Sequence, residues 1–493
     1  MKSKASDSHS SRSSTYDHLF SDYRFHLALL AVFSIVLIFS KLAGNGLANY
    51  DDCFYAQKAK EILQTKSWMT IHWNHEPSFP NPPFYLWLAA LSYKIFGVGE
   101  YAAKFPSALM GVSTILLLYF FAKYLFGSWM GFLSSFVLST TFMFTRYARH
   151  AMFDVTLSFF VCLSMFALVL SLRKNGRYFL LWGLSIGIAV LTKSVLGLFP
   201  LVITVLYLLI VGRWKTFFSG YFLAGCGIIV LLGFSWYFHQ YMTFGQRFLD
   251  AHFGELIIRR GLLSESEPWH RHLSYLRVLL IHYWPWLPFL LIGFVKFSKK
   301  AWGRDENAIL LLLWLLAILA TMSMMKARIR WYILPIFPAA AMLSAHALHG
   351  LLKGRRKVIF AKVALGIGIV ATIVINATPL QISKERKLDV RTIAPYVRHF
   401  GNRNANIVAF RQNFNSLNFS LLFYSDYVAS PVYQDYSELS HALADSVLVF
   451  CVLKTPELEG ALQNIDGIHL VRRTDKLALV SNQAVDISAV RTW

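Results

Sequence analysis

Long apolar runs separated by short polar loops recur along most of the chain. A helix needs roughly 20 apolar residues to span a bilayer, so this pattern predicts an all-α polytopic membrane protein. An apolar stretch at 83–97 is too short to cross and predicts an interfacial or re-entrant helix. Hydropathy predicts about eleven transmembrane helices, at residues 25–43, 101–121, 128–145, 155–172, 178–192, 194–211, 219–239, 273–296, 307–323, 331–349 and 358–377.

The two ends of the chain depart from this pattern. Residues 1–24 are polar and rich in serine, which predicts a disordered N-terminus. Residues 380–493 lack a spanning run and mix helix-like stretches with strand-like runs at 407–410 and 446–450. We therefore expect a transmembrane domain over residues 25–379, with a long first loop at 44–100, and a soluble α/β domain over residues 380–493.

Composition and charge exclude an ordinary soluble enzyme and orient the helices. The chain is 56% hydrophobic and only 15% charged, and lysine plus arginine outnumber the acids by 48 to 26. In a membrane protein such an excess collects in cytoplasmic loops and does not indicate nucleic-acid binding. The basic loops 173–177, 212–215, 296–304 and 353–357 fall on one side, which is then cytoplasmic, as is the N-terminus. The loops 44–100, 146–154 and 240–272, the turns at Lys193 and 324–330, and the C-terminal domain are then external.

The external loops carry three aspartates that could perform chemistry. Asp51 and Asp52 begin a stretch whose apolar positions 54/55, 59 and 62/63 share one face of a helix, which predicts a helix lying on the membrane surface. Asp154 stands immediately before an apolar run. Each acid could simply cap a helix. Their common side of the membrane also allows paired carboxylates that deprotonate an acceptor hydroxyl.

Several cations stand on the external side, against the positive-inside rule. Individually, each could be an interfacial side chain that snorkels to the membrane surface. Together they are better explained by an anionic lipid phosphate held through charge-assisted hydrogen bonds. The residues are Arg146, Arg149, Lys193, Lys326, Arg328 and Arg330.

Other kinds of site have weaker signals. His72, His75 and Glu76, or His252 with Glu255, could ligate a divalent metal, but their spacing matches no closed zinc pattern, and no metal or other cofactor is predicted. No Gly-rich loop follows a strand, which argues against a sugar-nucleotide donor. The GxSxG string at 183–187 lies inside an apolar span, which favours close packing of small residues over a nucleophile.

A series of short motifs has a recognisable order and spacing. It resembles the bacterial polyprenyl-phosphate-sugar glycosyltransferases of the GT-C fold over roughly residues 25–350. These enzymes are similar to protein O-mannosyltransferases and, more closely, to the lipid A aminoarabinose transferase. The C-terminal domain carries no such motif. The motifs are Asp51-Asp52 with Tyr55-Ala56, Pro80-Asn81-Pro82-Pro83 with Phe84-Tyr85, Ala148-Arg149 before Asp154, Leu191-Thr192-Lys193, and Tyr332-Ile333-Leu334-Pro335.

The resemblance implies an inner-membrane enzyme whose active site faces the periplasm. It implies a catalytic role for Asp51 and a second acidic position at Asp154, with Asp52 as a third candidate. Phe54 stands where the aminoarabinose enzyme has an arginine, and Asn81 where many members have a lysine, so the sugar stays open. The cation pattern and the resemblance together predict the substrate-binding residues Tyr55, Asn81, Tyr85, Arg149, Lys193, Lys326, Arg328, Arg330 and Tyr332. The resemblance implies that Lys193 and Tyr332 hold the donor phosphate.

The function predicted from the sequence is sugar transfer from a polyprenyl-phosphate carrier to a periplasmic acceptor. The acceptor classes are lipid A, another glycolipid and a protein, and we expect a monomer surrounded by membrane lipids. The alternative is a transporter or flippase of an anionic polyprenyl-linked lipid, which would also need cations at the membrane edge. Transporters commonly have repeated halves with polar groups at mid-membrane. Here the acids stand in external loops, which favours the enzyme.

Overall fold

The structure is a computed structural model that describes most of the chain. The described residues are 22–44, 46–47, 51–254, 274–325, 329–352, isolated positions within 356–374, 389–444 and 447–490. Nearly all of the predicted disordered N-terminus and most of the predicted span at 358–377 lie outside them. Lys326, Arg328 and Glu255 also lie outside the described residues.

The described residues up to 352 form helices almost throughout, as the apolar runs predict. The helices are α1 (Tyr23–Phe39), α2 (Asp51–Thr65), α3 (Phe84–Phe96), α4 (Glu100–Phe126), α5 (Ser128–Ser139), α6 (Phe142–Ala148), α7 (Asp154–Arg173), α8 (Tyr178–Lys193), α9 (Phe199–Ile210), α10 (Gly220–Ile228), α11 (Ser235–Phe244), α12 (Gln246–Leu249), α13 (Ser274–His282), α14 (Leu287–Trp302), α15 (Glu306–Met324) and α16 (Phe337–Leu351). Between α2 and α3, strands β1 (His72–Trp73) and β2 (Glu76–Pro77) pair antiparallel. Short 3₁₀ segments cover Ser194–Leu198, Trp214–Phe218 and Arg330–Ile336, and a π segment covers Ile229–Gly233.

Six helical stretches of the described residues are long and apolar enough to cross a membrane. Several shorter apolar helices coincide with the remaining predicted spans. Hydropathy detects apolar runs but not the breaks that divide them into shorter helices, so helix length alone supports fewer crossings than the predicted eleven. The six stretches are Glu100–Phe126, Asp154–Arg173, Tyr178–Ile210, Gly220–Phe244, Glu306–Met324 and Arg330–Leu351.

One of these stretches is interrupted at the predicted turn. Helix α8 ends at Lys193, and Ser194 adopts a left-handed conformation with φ 44°. The following 3₁₀ segment folds back on α8 so closely that a Cβ at Gly197 would lie 2.3 Å from the backbone nitrogen of Val190. Only glycine permits this approach, so the chain reverses immediately after Lys193.

The loops of the predicted basic side meet at one end of the helices. The Nη2 of Arg213 donates to Glu306 Oε1 at 2.9 Å, and the Nη2 of Arg173 lies 3.8 Å from Glu306 Oε2. Asp154 begins the helix that Arg173 ends, so the two lie roughly 30 Å apart along its axis. Asp154 therefore marks the opposite end, where the predicted external loops gather.

The GxSxG string packs as predicted. A Cβ at Gly183 would lie 2.2 Å from the carbonyl oxygen of Gly225 in α10. Glycine at both positions lets the two helix backbones touch, which is the small-residue contact that the sequence predicts.

The C-terminal region contains the expected mixture of helices and strands. Its sheet has the order β4-β3-β5-β7-β6; β3 runs parallel to β4 and β5, and β7 runs antiparallel to β5 and β6. The predicted strand at 407–410 lies within β3, whereas the strand predicted at 446–450 overlaps β5 only at its last two residues, and residue 446 lies outside the described residues. The elements are α17 (Asp389–Gly401), β3 (Asn406–Phe410), α18 (Phe414–Ser425), β4 (Val432–Tyr433), α19 (Tyr436–Leu443), β5 (Val449–Lys454), α20 (Leu458–Asn464), β6 (His469–Arg473) and β7 (Leu477–Ser481), with a 3₁₀ turn at Thr455–Glu457.

Helix α18 of this region packs directly on α2. The ring centroids of Phe419 and Phe54 are 4.4 Å apart, and the ammonium of Lys60 pairs with the carboxylate of Asp426. The hydroxyl of Tyr424 donates to Glu100 Oε1 at 2.9 Å. Helix α18 therefore covers part of α2, a contact that the sequence does not predict, while the predicted position of α2 on the membrane surface stays a prediction.

Candidate active site

Asp51 is the first residue of α2, at the end of the helix bundle that Asp154 also marks. The positive end of the helix dipole favours a carboxylate there. One turn later, the hydroxyl of Tyr55 donates to Asp51 Oδ1 at 3.4 Å. Burial raises the pKa of Asp51 to about 6, and the negative charges of Asp154 and Asp52 act in the same direction. A carboxylate with this pKa is half-protonated at about pH 6 and mostly ionised at neutral pH, as suits a general base.

Asp154 and Lys193 form a buried ion pair beside Asp51. Asp154 begins α7, and the reversal after α8 places the Lys193 ammonium against its Oδ1. The same ammonium lies 4.1 Å from the ring centroid of Tyr332 and 5.6 Å from that of Phe153. The charge of Lys193 also lowers the pKa of Asp51, against the larger effect of burial. Three separate parts of the chain thus place two acids and one cation in a single cluster.

Asp52 points to a different partner. Its Oδ2 lies 2.9 Å from Nδ1 of His150, and both side chains are almost fully buried. Consecutive residues of a helix point about 100° apart, so Asp51 and Asp52 cannot share one face. The structure therefore joins Asp52 to the 146–154 loop, while Asp51 faces the Asp154–Lys193 pair.

The raised pKa of Asp51 predicts a pH profile. We expect the initial rate of sugar transfer by reconstituted protein to rise as the pH increases through about 6 and to level off above it, because only the ionised carboxylate accepts a proton. The Asp52→Asn variant should shift the midpoint to lower pH, since it removes a like charge that raises the pKa of Asp51. A rate that does not change with pH across this range would contradict the assignment.

Arg149 does not point into this cluster. Its Nη1 donates to the carbonyl oxygens of Leu37 and Ile38 at 2.9 and 2.7 Å, and its Nη2 donates to that of Ser40 at 2.7 Å. These are carbonyls at the C-terminal end of α1, which lack partners within the helix and attract a cation. The guanidinium thus caps a helix, whereas the sequence predicts a substrate contact.

The other predicted binding residues fall into two groups, those that line the cluster and those that contact other parts of the protein. Tyr55 and Tyr332 line the cluster, whereas the hydroxyl of Tyr85 donates to the carbonyl of Ala103 at 3.1 Å inside the protein. Arg330 is exposed at the start of the 3₁₀ segment that carries Tyr332. Asn81 Oδ1 accepts a hydrogen bond at 2.9 Å from the ammonium of Lys58, a residue that lies outside the motifs.

A hydrogen-bond chain supports the reversal after Lys193. The carbonyl of Phe79 can only accept, so Nδ1 of His252 carries the proton and donates to it at 2.8 Å. Nε2 of the neutral ring then accepts from Ser194 Oγ at 2.8 Å, and Ser194 accepts from the hydroxyl of Tyr237 at 2.9 Å. Burial lowers the pKa of His252, which favours this neutral form. The chain ties the Asn81 loop to the residue that follows Lys193.

The residues considered for a metal are not brought together. Within the part of the chain that the structure describes, no three histidine, cysteine or acidic side chains are grouped as metal ligands. His252 is engaged with Ser194 and Phe79, and the backbone N–H of His75 donates to Glu61 at 3.0 Å.

The sequence is similar to known membrane transferases. The family model described as dolichyl-phosphate-mannose-protein mannosyltransferase matches residues 80–238. An uncharacterized protein from Aquifex aeolicus is 31% identical over 333 residues, which cover 66% of this chain and 64% of that protein. The undecaprenyl phosphate-alpha-4-amino-4-deoxy-L-arabinose arabinosyl transferase 2 of Pseudomonas fluorescens is 30% identical over 341 residues, which cover 66% of this chain and 60% of the relative. The chain thus spans less than two thirds of the length of either relative.

The fold is similar to that of a solved structure over nearly the whole length of both chains. The crystal structure of ArnT from Cupriavidus metallidurans bound to undecaprenyl phosphate superposes with a TM-score of 0.74. The match covers 94% of this chain and 98% of that one, at 17% sequence identity. The shared architecture includes the C-terminal region, where the sequence offers no motif.

Proposed function

This chain is a GT-C-fold relative of the undecaprenyl-phosphate aminoarabinose transferases and the protein mannosyltransferases, and from that premise we propose that it transfers a sugar from a polyprenyl-phosphate carrier to a periplasmic acceptor. The acceptor classes are lipid A, another glycolipid and a protein. The carrier lipid already holds the activated bond between sugar and phosphate, so the reaction needs no nucleotide.

The observation that carries this proposal is the juxtaposition of Asp51 with the Asp154–Lys193 pair. In the proposed step, an acceptor hydroxyl attacks the anomeric carbon and Asp51 takes its proton. The bond between the anomeric carbon and the phosphate oxygen breaks, and the carrier phosphate leaves with the electron pair. Lys193 balances the negative charge of the departing phosphate, while Asp154 holds its ammonium in place. Inversion at the anomeric carbon follows from attack opposite the leaving phosphate.

We also propose the placement of the chain in the bacterial inner membrane. Residues 25–379 would form the transmembrane catalytic domain, with residues 1–24 in the cytoplasm and residues 380–493 as a periplasmic domain. Two observations support this orientation: the basic loops meet around Glu306, and the acidic cluster lies at the other end of α7.

Reconstitution with a labelled donor distinguishes this function from lipid transport. In liposomes that contain the protein, a panel of undecaprenyl-phosphate-linked sugars and lipid A, we expect the label to move to the acceptor and free undecaprenyl phosphate to accumulate. Glycolipid and protein acceptors replace lipid A in parallel reactions. An intact donor that moves between the two leaflets, with no transfer to any acceptor class, would identify a flippase and overturn the proposal.

A further inference from the structure

Lys58 is a lysine in the interior of the protein. Its side chain is 0% exposed. Its ammonium donates to Asn81 Oδ1 at 2.9 Å and lies 4.0 Å from the ring centroid of Phe54, so both contacts are with uncharged groups. The local sequence does not indicate this burial. Lys60, two residues further along α2, is also a lysine, but its ammonium pairs with the carboxylate of Asp426.

Glu61, one helical turn from Lys58, already accepts hydrogen bonds from other groups. Glu61 Oε1 accepts from Gln57 Nε2 and from the backbone N–H of Asn74, both at 2.8 Å. Glu61 Oε2 accepts from the backbone N–H of His75 at 3.0 Å. Among the described residues, no carboxylate forms an ion pair with Lys58. Burying an ammonium without a directly bonded anion is unfavourable, and burial lowers the pKa of Lys58 to about 7, although the nearby charge of Glu61 acts in the opposite direction.

The position of Lys58 relates it to the acidic cluster. Residues 51, 55 and 58 are spaced by four and three, so they lie along one face of α2. Lys58 is two turns from Asp51, about 10 Å along the helix axis. Its contact partners Asn81 and Phe54 are both only partly buried, so its ammonium lies one side chain beneath the surface. Asn81 is the polar one of these two partners, so it is the group that a phosphate would have to displace to reach the ammonium.

We propose that Lys58 binds the phosphate group of a lipid substrate, with Asn81 holding its ammonium until the lipid arrives. This inference rests on the proposed function, because it assigns a second cation to the same site. A phosphate would provide the directly bonded anion that Lys58 lacks, through a charge-assisted hydrogen bond. Both the polyprenyl carrier and a lipid A acceptor have such a group, so the shared chemistry is a lipid phosphate.

The Lys58→Met variant tests this role, because methionine retains a flexible apolar stem without the charge. We expect the dissociation constant of undecaprenyl phosphate or of lipid A for the purified protein to increase about 10–100-fold, the effect of losing a charge-assisted contact. The lipid whose affinity falls identifies the source of the phosphate. Without lipid, the melting temperature should stay the same or rise, because the variant removes an unpaired buried charge.

The matched control is Lys60→Met, two residues away on α2, which should leave lipid affinity unchanged. Unchanged affinity of Lys58→Met for both lipids, together with a lower melting temperature, would show a structural lysine and overturn the inference. A wild-type protein that binds neither lipid would overturn the proposed function as well. Normal wild-type binding with an unaltered variant would overturn only the role of Lys58.

A measurement on the wild-type protein covers the case in which Lys58→Met does not fold. At about pH 8 an ammonium with a pKa near 7 is mostly neutral, and a bound phosphate would restore its proton. Calorimetry of lipid binding in buffers with different ionisation enthalpies should therefore show proton uptake that approaches one per site. Glu61 is the neighbouring charged group, and hydrogen bonds from Gln57, Asn74 and His75 already hold its carboxylate. Binding without proton uptake would overturn the inference.

Discussion

The Asp51→Asn variant should lose transfer activity by roughly 10²–10⁴-fold while it folds normally, the range expected when a general base is removed. Asparagine caps a helix about as well as aspartate, and its amide can still accept the hydrogen bond from Tyr55. The raised pKa of Asp51 means that its charge disfavours the folded state at pH values above about 6, and this effect is relieved below that value. The variant should therefore be at least as stable as the wild type at neutral pH. Turnover in the reconstituted assay and thermal unfolding in detergent measure the two quantities.

The comparison variants are Asp52→Asn and Asp154→Asn. We expect the loss of turnover to be largest for Asp51, smaller for Asp154 and smallest for Asp52, because Asp52 is joined to His150 and faces away from the Asp154–Lys193 pair. An Asp51→Asn protein with normal turnover would reduce Asp51 to a helix cap.

The Lys193→Met variant should lower both the free energy of unfolding and the affinity for the lipid donor. The carboxylate of Asp154 is 1% exposed, so removing its partner leaves a buried charge unpaired, at a cost of about 3–5 kcal/mol in the free energy of unfolding. Loss of the contact to the carrier phosphate should weaken donor affinity by a further factor of roughly 10–100. Chemical denaturation and binding of undecaprenyl phosphate test these effects separately.

The double variant Lys193→Met/Asp154→Asn separates the two contributions. It removes both charges, so we expect much of the lost stability to return. Donor affinity should stay low, because the cation is still absent. If donor affinity returned together with stability, Lys193 would be a structural partner of Asp154 and would not bind phosphate.

Local sequence patterns could predict most of the helices and the break after Lys193. Apolar runs determine where helices form, and the order of short motifs relates Asp51, Asp154, Lys193 and Tyr332 to one another. Their proximity itself depends on how α2, α7 and α8 pack, which hydropathy does not describe.

The remaining features depend on contacts between residues distant in sequence. Arg149 stands in a motif with the candidate acids, yet its guanidinium meets the end of α1, more than a hundred residues earlier in the chain. The burial of Lys58 also depends on a distant contact, because the loop that carries Asn81 closes over the face of α2 that Lys58 shares with Phe54. A pattern along one helix shows which residues share a face but not what covers that face.

Because α18 packs on α2, helix α2 cannot reach its final packing until α18 has been synthesised. Lys60 and Asp426 are separated by 366 positions, and ribosomes add about 5–20 residues per second, so α2 is synthesised about 20–70 s before its partner. Until then, Phe54 lacks the ring of Phe419, and the polar face of α2 stays uncovered. A nascent or truncated chain would therefore hold Asp51 on an incompletely packed helix. The helix that carries the proposed base is made early in translation and reaches its final environment only near the end.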